Sequence, residues 1–188
     1  MRHFPWVALL VCAVTAVIAV GASAAGGKLK CFVGSPATCT VNTGTAGSAT
    51  LDTTDGGYAG VYYNGSKAPG ASLASVDYSF DYRCQPSNVE TVTCVGGGAP
   101  RWSIPIDSTG DGKTDGYAFI DAANCGYTGT VSTTAANCAV FYGSGSWANW
   151  DAFAAANPTY RIGNDLPFVI SDVQTANPVT LYEVSVTK

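Results

Sequence analysis

Hydrophobic and polar residues alternate with period two along much of this chain. Between residues 76 and 83, Val76, Tyr78, Phe80 and Tyr82 fall on one side, and Asp77, Ser79, Asp81 and Arg83 on the other. Successive side chains of a strand point to opposite faces, so this run predicts a strand with one buried and one wet face. Trp102, Ile104 and Ile106 alternate likewise, with Pro105 pointing the other way. Because proline has no ladder donor, Pro105 predicts an edge strand or a bulge. Further strand candidates are 49–52, 58–63, 117–121, 139–142, 159–162, 168–171 and 179–187. In the last of these, Tyr182, Val184 and Val186 oppose Leu181, Glu183 and Ser185. Turn signals separate the runs: Asn64-Gly65, Pro69-Gly70, Gly96 to Gly98, and Asn157-Pro158. Many short strands so punctuated predict an all-β chain folded as an antiparallel β-sandwich.

Residues 146–156 break the alternation. A capping Ser146, three consecutive Ala and a stop at Asn157-Pro158 predict one short helix near 147–156, with Trp147, Trp150 and Ala154 on a common face.

The N-terminal run carries a different signal. Arg2 and His3 precede an uninterrupted apolar stretch from Trp6 to Val20, followed by Gly21-Ala22-Ser23-Ala24. This is the pattern of a secretory signal peptide over residues 1–24, too short to span a bilayer comfortably. The expected products are a secreted chain without a membrane anchor and a single disulfide-stabilised domain over 25–188. Removing residues 1–24 from 188 leaves 164, takes Cys12 from the seven cysteines, and takes His3, the single His.

Six remaining cysteines in an exported chain imply disulfides rather than zinc, for which there are neither tight Cys pairs nor His. They fall as three local couples, predicting Cys31–Cys39, Cys84–Cys94 and Cys125–Cys138. Each would add about 2–3 kcal/mol by closing a short loop. A formal net charge of -4 disfavours nucleic acid and anionic membranes as partners.

Asp107-Ser108-Thr109-Gly110-Asp111-Gly112-Lys113-Thr114-Asp115 places carboxylates at positions one, five and nine, a hydroxyl at three and Gly at six. The spacing matches the start of an EF-hand loop, but position twelve is Ala118 and the flanks read as strands. The segment more closely resembles the calcium loops of integrin-type and FG-GAP repeats, which join two strands. The resemblance implies a structural calcium held by Asp107, Thr109, Asp111, the Lys113 carbonyl and Asp115. A solvated Asp/Gly hairpin turn is the alternative for the same residues.

Catalysis has few resources. Without His, Ser-His-Asp and Cys-His mechanisms are closed to the mature chain. Two-carboxylate glycoside hydrolysis stays open, but Asp77 and Asp81 are about 13 Å apart along their strand. Aromatic residues offer binding instead, since the apolar faces of sugar rings stack on exposed Tyr and Trp. Tyr62, Tyr63, Trp150 and Asp151 are the candidate ligand-binding residues, with Trp102 and Trp147 expected in the core. In its β-rich make-up, the 77–82 strand, the hairpin loop and the closing 181–187 strand, the chain resembles jelly-roll modules of the carbohydrate-binding and concanavalin-like type. That resemblance implies a non-catalytic protein binding glycan or a cell-wall polymer. A small hydrolase or lyase using Asp carboxylates, and a structural or adhesion component of the cell surface, are the alternatives.

Overall fold

The alternating runs fold as two antiparallel sheets packed face to face. A computed structural model describes residues 28–65, 68–84, 99–175 and 177–188. The larger sheet has the order β1 (Leu29–Gly34), β4 (Tyr58–Tyr63), β12 (Phe168–Ser171), β6 (Arg101–Asp107), β7 (Gly116–Asp121), β9 (Val140–Tyr142) and β10 (Gly145–Trp147), and β11 (Arg161–Ile162) also pairs with β6. The smaller sheet runs β2 (Thr38–Val41), β3 (Ala49–Asp52), β13 (Val179–Thr187), β5 (Asp77–Cys84) and β8 (Thr130–Ser132). Within them, β4-β12-β6-β7 and β3-β13-β5-β8 have the connectivity of a jelly roll, with the last two strands of the chain entering the middle of each sheet. The expected signal segment lies outside the described residues. Among those described, no helix is long and apolar enough to cross a membrane.

The facing sides of the sheets supply the core. Trp102, Ile104, Ile106, Ile120 and Val169 meet Leu51, Tyr78, Phe80, Val131 and Leu181, all nearly or wholly removed from solvent. Trp102 sits edge-on to Tyr78 at 5.5 Å and near Phe80 at 5.8 Å, aromatic contacts favoured by the ring quadrupoles. Val76, Tyr78, Phe80 and Tyr82 are buried as their alternation requires.

Three expectations are corrected. Pro105 is neither on an edge strand nor at a bulge: β6 is central, with β7 on one side and β12, then β11, on the other. The Pro105 carbonyl accepts from the Gly163 N–H at 2.9 Å, so its nitrogen faces that same side, where the partner changes from β12 to β11 and no ladder donor is needed.

In β13 the phase breaks. The register passes from Tyr182↔Asp81 to Ser185↔Ser79, leaving Glu183 and Val184 opposite one residue, with Glu183 at φ 50°. This bulge lets both Leu181 and Val184 face the core and leaves Tyr182 half-buried on the other side.

The helix is shorter than expected. α1 spans Trp150–Ala156, and Asn149, not Ser146, caps it by accepting the Ala152 N–H at 2.9 Å. Ser146 and Trp147 belong to β10, paired with Phe141 and Val140.

Cys31–Cys39 ties β1 to β2, and so one sheet to the other, while Cys125–Cys138 pins the loop before β8 to the segment before β9. The third expected pair involves Cys94, which lies outside the described residues.

Candidate functional site

The loop 108–115 joins β6 to β7, and its acids are turned onto its own backbone. Asp107, 2% exposed, accepts from the Gly110 N–H at 2.6 Å and the Gly112 N–H at 2.9 Å. The left-handed φ of 80° at Gly110 and 83° at Gly112 makes this tight winding accessible. At the far end, Asp115 Oδ2 accepts from the Ser108 N–H at 2.8 Å, the Ser108 hydroxyl at 3.0 Å and the Thr109 N–H at 2.9 Å. These donors favour the ionised form, the Ser108 N–H most, and hold the Asp115 carboxyl below its ordinary range. Asp111 accepts from the Lys113 N–H at 2.9 Å, with the Lys113 ammonium at 3.6 Å. Among the described residues no three Asp, Glu, His or Cys side chains come together in a metal-holding group. The loop therefore carries the five expected ligand residues in order, with their carboxylates serving as turn-closing acceptors.

The four residues expected to bind ligand are not brought together. Tyr63 is 3% exposed and faces the core. Trp150 is 2% exposed, donates its indole N–H to the Leu73 carbonyl at 2.8 Å and packs on Phe153 at 5.4 Å. Both rings are thus withdrawn from any surface ligand. Asp151 is exposed and lines a shallow cavity of about 290 Å³ beside α1, with Ser72, Leu73 and Pro158. Tyr62 alone lies on the outer face of the larger sheet. Of the two tryptophans expected inside, Trp102 is fully buried; Trp147 is half-buried, its ring 4.8 Å from that of Phe153.

That outer face is where a two-layer sandwich ordinarily presents polar groups. Here it carries rings. Residues paired across antiparallel strands share a face, so Lys30, Tyr62, Phe168, Ser103, Phe119 and Phe141 form one outward row across the sheet. Phe32, Gly60, Ile170, Arg101 and Asp121 form the next. Phe32 lies 4.5 Å from Tyr62 and 5.5 Å from Phe168, and Phe168 lies 5.2 Å from Tyr117, which shares the outward face of β7 with Phe119. Tyr58, 45% exposed, extends the strip beyond Phe32 at 6.4 Å.

Glycines make room for it: a methyl group at Gly60 would overlap the Phe32 ring, and one at Gly34 the Tyr58 ring. At the Tyr117 end the strip becomes polar. The Tyr117 hydroxyl donates to Asp165 at 3.2 Å, and Thr114 bonds Asn164 at 3.4 Å. Burial, reinforced by the Asp165 charge, pushes the Tyr117 hydroxyl up to about 12, so it stays a donor.

Beside the strip, Arg101 lies over the Phe119 ring at 4.9 Å and ion-pairs with Asp172, while Asp121 stands 4.0 Å from its Nε. Burial raises the Asp121 carboxyl, Arg101 opposes that shift, and Asp172 adds to it. Two carboxylates thus flank one guanidinium, an arrangement that neutralises charge instead of freeing an acid and a base. Alternation does mark Tyr58, Tyr62, Phe168 and Tyr117 as same-face positions on their own strands. Only the pairing of β1, β4, β12, β6 and β7 joins them. Comparisons of the chain with protein-family models, curated proteins and solved structures gave no match.

Proposed function

We propose that this protein is an exported, non-catalytic module that binds a glycan or cell-surface polymer on the outer face of its larger sheet. The observation that carries the reading is the strip Tyr58–Phe32–Tyr62–Phe168–Tyr117, half-exposed and ending at Asp165 and Asn164. A contiguous apolar patch on a soluble face marks an interaction surface. Aromatic faces meet the apolar C–H faces of sugars, and the amide, carboxylate and phenol at one end suit the hydroxyls that remain. Disulfides support export, because they persist in oxidising compartments.

Sedimentation with a panel of insoluble polysaccharides tests it. Retention by at least one polymer, lost in the Tyr58→Ala/Tyr62→Ala double variant, is the expected result. No retention on any polymer, or retention indifferent to those rings, overturns it.

Calcium enters this reading as a ligand of the loop alone, with Asp107, Thr109, Asp111, the Lys113 carbonyl and Asp115 as holders. It would fix the hairpin next to Asn164 and Asp165. Adding millimolar calcium to chelator-treated protein should raise Tm; an unchanged Tm discards the ion.

A further inference from the structure

We infer that the polymer seated on this face is a polysaccharide without anionic groups, and that polyanionic glycans are turned away. The inference rests on the binding reading above and adds the charge class of the ligand. It comes from the distribution of charge around the rings.

At the polar end, Asp165 accepts from Tyr117, and among the described residues no Lys or Arg lies within ion-pair distance of it. Its N–H is held by the Thr114 hydroxyl at 3.1 Å, which fixes Asp165 against the acidic β6–β7 loop. Of the two arginines on the face, Arg101 is held between Asp172 and Asp121, and Arg161, in register with Asp107, donates to the carbonyls of Pro158 and Tyr160. Lys30 is exposed at the opposite border, in register with Tyr62. A polyanion laid along the strip would gain Lys30 and meet Asp165, Asp121 and Asp172. It would also need a free guanidinium or ammonium for each carboxylate or sulfate buried against the rings, because an unpaired ion is costly to desolvate. Hydroxyls and N-acetyl groups have no such requirement and find Tyr117, Asp165 and Asn164 as partners. The strip runs from β1 to β7 across β4, β12 and β6, four steps of about 4.8 Å, or about 19 Å. That is room for a short extended run of sugar units, so several charges of a polyanion would lie on the face at once.

Affinity electrophoresis in matched gels provides the test. Hydroxyethyl and carboxymethyl derivatives of cellulose, and the same pair made from chitin, hold the backbone constant and change only the charge. The expected result is retardation by a hydroxyethyl polymer and at least tenfold weaker retardation by its carboxymethyl twin at low salt, a gap that narrows with added salt and in Asp165→Lys. Equal or stronger retardation by the carboxymethyl form overturns the inference while leaving polysaccharide binding intact. Failure of all four gels, together with the insoluble panel, removes the binding reading and this one with it. A concentration-dependent dimer that disappears in Tyr62→Ala would seat a second copy on the face and overturn both.

Discussion

Ser103 is fully buried on the outer side of β6, and its hydroxyl has no hydrogen-bond partner. A desolvated, unpaired hydroxyl costs about 1–3 kcal/mol. Ser103→Ala is therefore expected to hold stability level or raise it by roughly 1 kcal/mol, read from the urea midpoint at constant m-value. Asn149 has the opposite sign. Its side chain satisfies the Ala152 N–H at the start of α1, and Asn149→Ala should lower stability by about 1 kcal/mol, whereas Ser146→Ala should leave it unchanged. Asp115 makes a pH-dependent contribution. Its folded carboxyl titrates below the ordinary range, so its contribution is present above the unfolded value and is lost as pH falls through the folded one. The stability difference between wild type and Asp115→Asn should accordingly be present near neutrality and shrink on acidification below about pH 4.

At the scale of elements, legibility followed the range of the interaction concerned. The strands at Tyr58–Tyr63, Phe168–Ser171 and Val179–Thr187 have the expected bounds, because a run of strand-forming residues between turn signals is read from neighbouring residues alone. The β13 bulge was hidden. Glu183 carries no mark of its φ of 50°, which the partner β5 and the Gly47 carbonyl, bonded by the Val184 N–H, impose from elsewhere. Because left-handed backbone costs a non-glycine residue about 1–2 kcal/mol, Glu183→Gly should raise stability by about 0.5–1 kcal/mol and Glu183→Val lower it, both measurable by thermal unfolding. Ser146 and Trp147 misled for a related reason. Small residues and one Trp have no periodicity strong enough to separate a hairpin strand from a helix start, and pairing with β9 decides it. The aromatic strip depends on register throughout, which brings Phe32 and Phe168 side by side from opposite ends of the chain.

For the whole molecule, cross-linking complements a core of moderate size. Cys31–Cys39 joins the two sheets at one edge, and Cys125 and Cys138 are buried at 0% and 1% exposure. The Cys125→Ala/Cys138→Ala variant should lose about 3 kcal/mol from the bridge, with a further loss if the smaller side chains leave space, seen as a lower denaturant midpoint. Both local pairs were readable from spacing, Cys31–Cys39 because a short turn between β1 and β2 puts its ends close together, whereas the Cys125–Cys138 segment contains β8 and closes through its turns. The acidic loop was readable as a tight turn but not in its bonding, which depends on where each N–H points.

The placement of β12 and β13 has a consequence in time. Each enters the middle of its sheet, between strands made much earlier, so β4 has no route to β6 and β3 none to β5 until the final twenty or so residues are available. A nascent chain halted before Phe168 holds two half-sheets with open centres, and cooperative closure waits on the C-terminus. The order of synthesis thus acts as a clock, in which the strands that close both sheets are the last of the described strands to be made.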